Sequence, residues 1–157
     1  MIVGQRIGAR DYAGARRFMR ESIRLGVTVS GAAGAFVAVL AWPLAALCTL
    51  NWGLAGIAAL PLATHALVTL PLKGYAMTTL APIRAAGDTR WVMLMGIATT
   101  TIAAGGIGFA ILVLHLGLWA VPCGWIVGWV FRDIVTTQRL RGGDWERRRL
   151  DVGHEPA

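Results

Sequence analysis

The sequence predicts an all-α membrane protein: a polytopic bundle of four transmembrane helices, preceded by a basic amphipathic N-terminal helix. Of its 157 residues, 56% are hydrophobic and only 15% are charged, and the mean hydropathy is +0.61. A soluble domain usually carries about 25% charged residues. The net charge is +7, but the charges are collected in a few short segments. Long uncharged stretches separated by basic segments are typical of membrane helices and their loops.

Four apolar stretches are long enough to cross a bilayer, since about 20 helical residues span its roughly 30 Å hydrocarbon core. Lipid offers no partners to backbone polar groups, so these stretches must be helical. No charged residue occurs from Leu25 to Leu72, which covers the first stretch and much of the second. Turns at 51–53, 84–90 and 115–117 separate the stretches. The predicted spans cover about residues 25–50, 54–81, 91–114 and 118–139.

The charges also predict how the spans are oriented. With four spans, the arm 1–24, the turn 84–90 and the tail 140–157 lie on one side, and with the end of the fourth span they hold 14 of the 15 Lys and Arg residues. Lys and Arg near span ends mark the cytoplasmic side. We therefore expect a multi-pass protein of the inner or plasma membrane, with both termini cytoplasmic, a disordered tail and the lipid bilayer as partner. Topology explains the basic balance, so nucleic-acid binding is not expected.

The arginine-rich arm contains a helix signal of its own. Asp11 can cap a helix through "YAGARRFMRESIRLG", in which Arg16, Arg20 and Arg24 fall on one stripe at intervals of four. This helix is either a cytoplasmic lead-in that continues into the first span or a separate amphipathic helix lying in the interface. The absence of a helix breaker before the first span favours the continuous lead-in.

Small residues and prolines recur inside the spans. The segments "SGAAGAFVA" (30–38), "GGIG" (105–108) and "GWIVG" (124–128) place small side chains on helix faces, and Gly124 with Gly128 makes a GxxxG pair. Small residues let transmembrane helices approach closely, so we expect a packed bundle. Proline removes a backbone hydrogen bond and bends a helix. The prolines within or near the spans are Pro43, Pro61, Pro71 and Pro122.

No motif for enzymatic chemistry occurs in the sequence. There is no CxxC, HExxH, P-loop or nucleophile elbow, so neither an enzyme nor an ATP-driven pump is expected, and no cofactor is implied. Residues 91–131 carry no formal charge and Arg132 begins a basic segment. The acidic residues are accordingly assigned to regions outside the apolar spans, and no carboxylate pair or metal cluster is expected in the membrane. Cys48 and Cys123 are expected to be buried and unpaired.

Lys73 is the single charged residue inside the first three predicted spans. An ionisable group within the membrane is costly, which makes it a functional-site hypothesis. Tyr75 and Thr78 are close enough to line the same substrate or ion pathway, and Thr79 is a weaker candidate because of its position around the helix. His65 is either a helix–helix hydrogen-bond partner, which is favoured, or a proton relay. The alternative for Lys73 is that it faces a water-filled cavity or snorkels, with no coupling role.

The charged turn between the second and third spans has the composition of a tight helix–helix connection. Gly87 permits the bend, and Asp88 can cap the helix that follows. Arg84 and Arg90 are expected to hold the turn in the headgroup zone. A structural and orienting loop is favoured over a substrate site.

Three segments resemble the multidrug and toxic compound extrusion (MATE) transporters. "IVGQRIGARDYAGARR" (2–17) resembles that family's V-G-Q-x-x-G-A loop before the third helix of a lobe. "APIRAAGDTR" (81–90) resembles its G-x-L-R-G-A-G-D-T-R turn, and the stretch 116–145 is similar to the last helix of the second lobe. The matching residues are Val3, Gly4, Gln5, Gly8, Ala9, Arg84, Ala86, Gly87, Asp88, Thr89, Arg90, Leu116, Gly117, Leu118, Trp119, Arg132, Arg139 and Trp145. The turn departs from the family pattern at Ala81, Ile83 and Ala85.

The resemblance implies a transporter of twelve helices in two lobes that exports cationic or amphipathic compounds against a proton or sodium gradient. This chain resembles the ninth to twelfth helices. It is therefore expected to be a fragment or a sequence with a misassigned start, with the missing N-terminal lobe or another copy as partner and a small organic cation as substrate. Lys73 lies 15 residues before Asp88, where one branch of the family has an acidic residue that binds the coupling cation. A lysine there argues against a sodium site.

Two other functions remain open on the sequence alone. A self-standing small multidrug exporter working as a dimer would have four spans, but such exporters usually carry a Glu in the first span and are shorter. The other alternative is a membrane scaffold or assembly subunit that transports nothing.

Overall fold

The fold is a bundle of helices connected by short turns. The computed structural model describes residues 12–85 and 87–142, so the predicted Asp11 cap, the rest of the arm before it and the tail from residue 143 lie outside the described residues. The helices are α1 (Tyr12–Val39), α2 (Ala41–Thr49), α3 (Trp52–Ala85), α4 (Thr89–Leu112) and α5 (Ala120–Arg141), with one 3₁₀ turn at Gly117–Trp119. Neither described range contains a strand.

Four helical stretches are long and apolar enough to cross a membrane. They are Arg17–Val39, Trp52–Arg84, Thr89–Leu112 and Gly117–Arg141. Large apolar side chains on these stretches point outward, such as Phe36 and Leu112, which are 67% and 76% exposed. Such a surface suits contact with lipid rather than with water. The prediction of an all-α membrane bundle with four spans is confirmed.

Helix α1 joins the basic lead-in to the first span without a break. It runs from Tyr12 to Val39, and Arg17, Arg20 and Arg24 in its first half are exposed. Arg24 lies 3.7 Å from the Glu21 carboxylate in an exposed ion pair on the same helix. Within residues 12–39, therefore, the lead-in continues into the span and is not a separate interfacial helix.

The first apolar stretch, predicted as one span over 25–50, is interrupted at Leu40. Helix α1 ends at Val39, and the short α2 begins two residues later. Pro43 has no N–H to donate to the carbonyl of Val39, so the helical ladder loses a hydrogen bond at this point. Leu44 then resumes the ladder by donating to the Leu40 carbonyl at 2.9 Å. The single span over 25–50 is thus divided into α1 and α2.

The connection between α2 and α3 is tighter than the predicted turn at 51–53. Leu50 adopts a left-handed φ of 51°. The Asn51 Oδ1 then accepts hydrogen bonds from the N–H groups of Gly53 at 2.9 Å and Leu54 at 3.3 Å, and so caps α3. Helix α3 consequently starts at Trp52 and continues to residue 85, four residues past the predicted end. Helices α4 and α5 begin and end within two residues of the predicted spans.

Helix α3 lies at the centre of the bundle. It packs against α1 and α2 on one side and against α5 on another, while α4 packs mainly against α5. The order across the bundle is therefore α1, α3, α5, α4. Helix α1 is antiparallel to α3, because Gly26 approaches Thr78 and Gly34 approaches Ala66.

Glycines lie at the closest contacts between helices. Three of them, Gly34, Gly124 and Gly128, belong to the small-residue segments that were predicted to pack. A Cβ on Gly34 would lie 2.6 Å from the Ala66 carbonyl oxygen, and one on Gly128 would lie 2.9 Å from the Thr99 carbonyl oxygen. Gly124 likewise faces Ala103 of α4, so the GxxxG pair seats α5 against α4. The "GGIG" segment behaves differently, because its first and last glycines face open space.

The two cysteines are free, as predicted, but exposed rather than buried. Cys48 lies one residue before the end of α2, and Cys123 lies in the first turn of α5. The buried apolar positions are mostly alanines instead, because only small side chains fit where helices touch. Both thiols therefore sit on outward faces near helix ends.

Candidate functional site

An open cavity of about 560 Å³ lies where α1, α3 and α5 meet. Part of its lining is apolar and comes from all three helices: Val27, Pro71, Leu72 and Ile134. Pockets that hold small molecules usually measure about 300–1,000 Å³ and are lined mainly by apolar groups with a few polar ones. The cavity has the size and the apolar character of such a site.

The polar part of the lining comes from one side chain of α3 and several of α5. It consists of Tyr75, Asp133, Thr137, Gln138 and Arg141. The Tyr75 hydroxyl lies 2.7 Å from Thr137 Oγ1. Thr137 Oγ1 donates its own hydrogen to the Asp133 carbonyl oxygen at 2.6 Å, so Tyr75 is the donor in the first bond. This hydrogen bond joins α3 to α5 at the cavity.

Asp133 is a buried carboxylate in the wall of the cavity. The residue is 8% exposed, and neither carboxylate oxygen has a hydrogen-bond partner among the described residues. The expectation that all acidic residues lie outside the apolar spans was therefore wrong, since Asp133 lies inside α5. The neighbouring Arg132 makes the segment resemble the start of a basic tail, which hides the carboxylate. Asp133 nevertheless lies within the predicted span 118–139, and this position is the sequence signal that identifies it as a carboxylate inside a membrane helix.

Two further polar residues of α5 are buried beside Asp133. Arg132 is 7% exposed, and its guanidinium lies 5.2 Å from the centroid of the Trp129 ring, a cation–π contact. Arg132 Nε and Thr136 Oγ1 are buried without a hydrogen-bond partner in the described part of the chain. Both of the charged residues that are buried within the described ranges thus lie in this one turn of α5. Polar groups that are buried within a membrane helix are costly and mark candidate sites.

The four predicted pathway residues do not converge on one point. Tyr75 lines the cavity. Thr78 lies at the α1–α3 contact, and its hydroxyl donates to carbonyl oxygens of its own helix at 2.9 Å. His65 is half-buried, and its Nδ1 lies 3.3 Å from Thr69 Oγ1 on the same helix rather than from a group on another helix. Lys73 is exposed and does not line the cavity.

Lys73 belongs to an outward-facing stripe of α3. Met77, Ala81 and Arg84 are also exposed, and they follow Lys73 at intervals of four, eight and eleven residues. Residues at these intervals share one face of a helix. The role of Lys73 in a substrate or ion pathway stays a prediction.

The charged turn is a Schellman motif at the end of α3. Gly87 has a left-handed φ of 83°, and its N–H donates to the Arg84 carbonyl at 3.0 Å. The N–H of Asp88 donates to the Ile83 carbonyl at 3.3 Å, which completes the motif. The Asp88 side chain then accepts a hydrogen bond from the Trp91 N–H at 3.4 Å and caps α4. The bend at Gly87 and the cap at Asp88 occur as predicted.

An ion pair attaches this turn to the last helix. Arg139 Nη2 of α5 donates to Asp88 Oδ2, and the guanidinium also lies 4.8 Å from the centroid of the Trp91 ring. The Arg139 and Asp88 side chains are only 24% and 14% exposed, whereas Arg84 and Arg90 are exposed. Sequence reasoning missed Arg139 as a partner, because the two residues are 51 positions apart. We call this group (Asp88, Trp91 and Arg139) the turn–helix contact.

Comparison with known proteins identifies the family. The family model described as MatE matches residues 1–116, which is more than half of the chain. Neither the curated proteins nor the solved structures gave a match. The matched region includes α1 to α4 and the charged turn, and the structure supplies the helices of membrane-spanning length that this family requires. The chain belongs to the MATE family, whose members are membrane transporters and not enzymes.

Proposed function

We propose that the protein is part of a MATE-type secondary transporter that exports cationic or amphipathic compounds by proton or sodium antiport. The observation that carries this proposal is the family match over residues 1–116 on a chain with four helices of membrane-spanning length. The cavity adds support, because its apolar walls suit the apolar part of an amphipathic compound.

The proposal includes further helices beyond the four of this chain. The sequence resembles the ninth to twelfth helices of the family, and alternating access requires two halves that move about a central site. The cavity between α1, α3 and α5 is open, so these helices form one wall of a binding site rather than an enclosed one. The partner is then the N-terminal lobe or another copy of this chain. The exposed stripe of α3 that carries Lys73 is available to meet it.

The proposed location is the inner or plasma membrane, with both termini in the cytoplasm. The N-terminal end of α1, the turn after α3 and the C-terminal end of α5 lie at one end of the bundle, because α1 is antiparallel to α3 and the turn–helix contact brings α5 to the same end. This end carries the exposed arginines of α1 and of the turn. Basic residues at span ends face the cytoplasm.

The test of the proposed function is an efflux assay in a bacterial host whose own exporters are deleted. Cells expressing the chain are loaded with a fluorescent organic cation, and its loss is followed with and without a proton gradient and with and without sodium. The chain is expressed alone and together with any in-frame coding sequence that precedes Met1. Gradient-dependent loss of the dye in either case supports the proposal. If neither loses the dye faster than cells with an empty vector, transport by this chain is refuted.

A further inference from the structure

A groove runs between α1 and α5 over the surface of α3. Both helices pack on α3 but hardly on each other, so they leave a gap whose floor is formed by Pro71, Leu72 and Tyr75. Val27 of α1 and Ile134 of α5 form its walls, and we call this part of the cavity the α1–α5 groove. An empty gap between helices loses packing contacts, so in a membrane this groove holds either lipid or protein.

The groove presents positive charge, although an aspartate belongs to its lining. Both carboxylate oxygens of Asp133 are buried with almost no accessible surface, so they cannot contact a molecule in the groove. Arg141 is the other charged residue of the lining, and it is exposed. Its guanidinium forms no ion pair with a carboxylate in the described part of the chain. A molecule in the groove therefore meets a cation, which favours a ligand with an anionic group.

Polarity increases along the groove toward one end of the bundle. The α5 side of the lining runs from Ile134 through Thr137 and Gln138 to Arg141, which lies in the last turn of that helix. At a rise of about 1.5 Å per residue, Arg141 is about 10 Å nearer the helix end than Ile134. The polar layer on each side of a bilayer is about 5–8 Å thick. Arg141 can therefore lie among lipid headgroups while Ile134 lies among acyl chains.

The α1 side of the groove has the same order. Arg20 and Arg24 precede Val27 by seven and three residues, so the three share one face of α1. Both arginines are exposed. They lie toward the end of the bundle that carries Arg141, which is the proposed cytoplasmic end, and the cytoplasmic leaflet is the one that carries anionic lipids. The mouth of the groove is therefore basic on both sides, where the adjoining lipid is anionic.

We propose that the α1–α5 groove binds one anionic phospholipid of the cytoplasmic leaflet. Its phosphate accepts hydrogen bonds from the Arg141 guanidinium and the Gln138 amide, and one acyl chain packs against Val27, Leu72 and Ile134. The lipid is a resident of the groove and not a transported compound, so the inference goes beyond the proposed function. Only the choice of leaflet rests on the proposed orientation.

The experiment measures binding of phosphatidylglycerol to the purified, delipidated full chain in a non-ionic detergent by native mass spectrometry. Phosphatidylcholine with the same acyl chains reports binding that does not depend on net negative charge. We expect Arg141→Gln to weaken binding of phosphatidylglycerol about fivefold, since one basic contact to an anionic lipid is lost, and to leave binding of phosphatidylcholine unchanged. Arg90→Gln is the matched control, because it removes an exposed positive charge at the same end of the bundle that lies outside the cavity.

A second measurement uses the wild-type protein, so that it does not depend on folding of a variant. Phosphatidylglycerol and phosphatidylcholine that carry a photoactivatable diazirine in one acyl chain are cross-linked to the chain, and the modified residues are located by peptide mass spectrometry. Phosphatidylglycerol should label Leu72 and Ile134 at least about threefold more than phosphatidylcholine does. Ile97 of α4 is the internal control, because it is 57% exposed outside the groove and should be labelled equally by both lipids.

Three results overturn the proposal. The first is equal weakening of phosphatidylglycerol binding by Arg141→Gln and Arg90→Gln, and the second is equal labelling of the groove by both lipids. The third is displacement of the lipid by an equal concentration of soluble glycerol phosphate, which would show a phosphate site without a seat for the acyl chain. Arg141-dependent lipid binding without dye efflux refutes only the proposed function, whereas efflux with binding that ignores Arg141 refutes only this site.

Discussion

The turn–helix contact should stabilise the bundle through coupling between Asp88 and Arg139. Asp88→Asn removes the negative charge and keeps a side chain that caps helices equally well, so the α4 cap should survive. Arg139→Gln removes the positive charge and the cation–π contact with Trp91. An exposed ion pair contributes about 0.2–1 kcal/mol, and a hydrogen bond to a charged group about 1.5–3 kcal/mol. The two side chains are 24% and 14% exposed, which places this pair between those limits, and we expect a coupling free energy of about 1–2 kcal/mol.

The assay is a double-mutant cycle on the free energy of unfolding of the full chain. Mixed micelles with increasing fractions of a denaturing detergent unfold the protein, and helical circular dichroism follows the transition. Arg139→Gln alone should cost about 0.5–1 kcal/mol more than Asp88→Asn, because it also removes the cation–π contact.

The exposed pair of Glu21 and Arg24 provides the matched control for this cycle. Its charged atoms are 3.7 Å apart and its side chains are 61% and 72% exposed, so its coupling should be about 0.5 kcal/mol or less. If the Asp88–Arg139 coupling is no larger than that of the control pair, the ion pair does not hold the turn to α5 and the reasoning is refuted.

Three further predictions follow from the turn, the helix contacts and the helix ends. Gly87→Ala should lower the free energy of unfolding by about 1–2 kcal/mol, since the φ of 83° strains a residue with a Cβ; an unchanged value in the same assay would contradict this. Gly34→Val should cost about 1–3 kcal/mol, because its Cβ would lie 2.6 Å from a carbonyl oxygen, while Gly108→Ala, which has open space around it, should cost nothing; equal losses would contradict the α1–α3 contact. In a variant with Cys48→Ala and Cys123→Ala, a membrane-impermeant maleimide should label Asn51→Cys, in the exposed turn between α2 and α3, from the outside of intact cells and not from the cytoplasmic side of inverted vesicles, and the opposite pattern would reverse the proposed topology.

The helices could be predicted because a single physical signal determines them. Lipid excludes charge and forces the backbone to bond internally, so uncharged stretches of sufficient length become helices whatever else they contain. The turn was also predictable, since Gly87 and Asp88 act through local backbone geometry. The interruption at Leu40 was less predictable. Pro43 indicates a bend, but its position alone does not indicate that α2 becomes a separate helix.

The candidate site was only partly predictable, because it depends on contacts between distant segments. Tyr75 was identified for its closeness to Lys73 in sequence, but the structure places it in the cavity beside Thr137, 62 positions away. Lys73 attracted attention as an isolated charge, yet it lies on the exposed side of α3. Asp133 was overlooked because Arg132 beside it was taken as the start of a basic segment, although its position inside the predicted span 118–139 already placed it among apolar residues. That it is buried follows from the fold.

The length of α3 has a consequence for the membrane around the protein. A straight helix of 34 residues measures about 51 Å, and to fit a hydrocarbon core of about 30 Å by inclination alone it would lie about 54° from the bilayer normal. Membrane helices rarely exceed about 40°. Proline removes a hydrogen bond from a helix, so Pro61, Pro71 and Pro82 are the positions at which α3 can bend to reduce the mismatch that a rigid rod would have. Pro71 also lines the cavity, so we expect a thinner or thicker bilayer that alters the bend at this proline to change the width of the cavity as well.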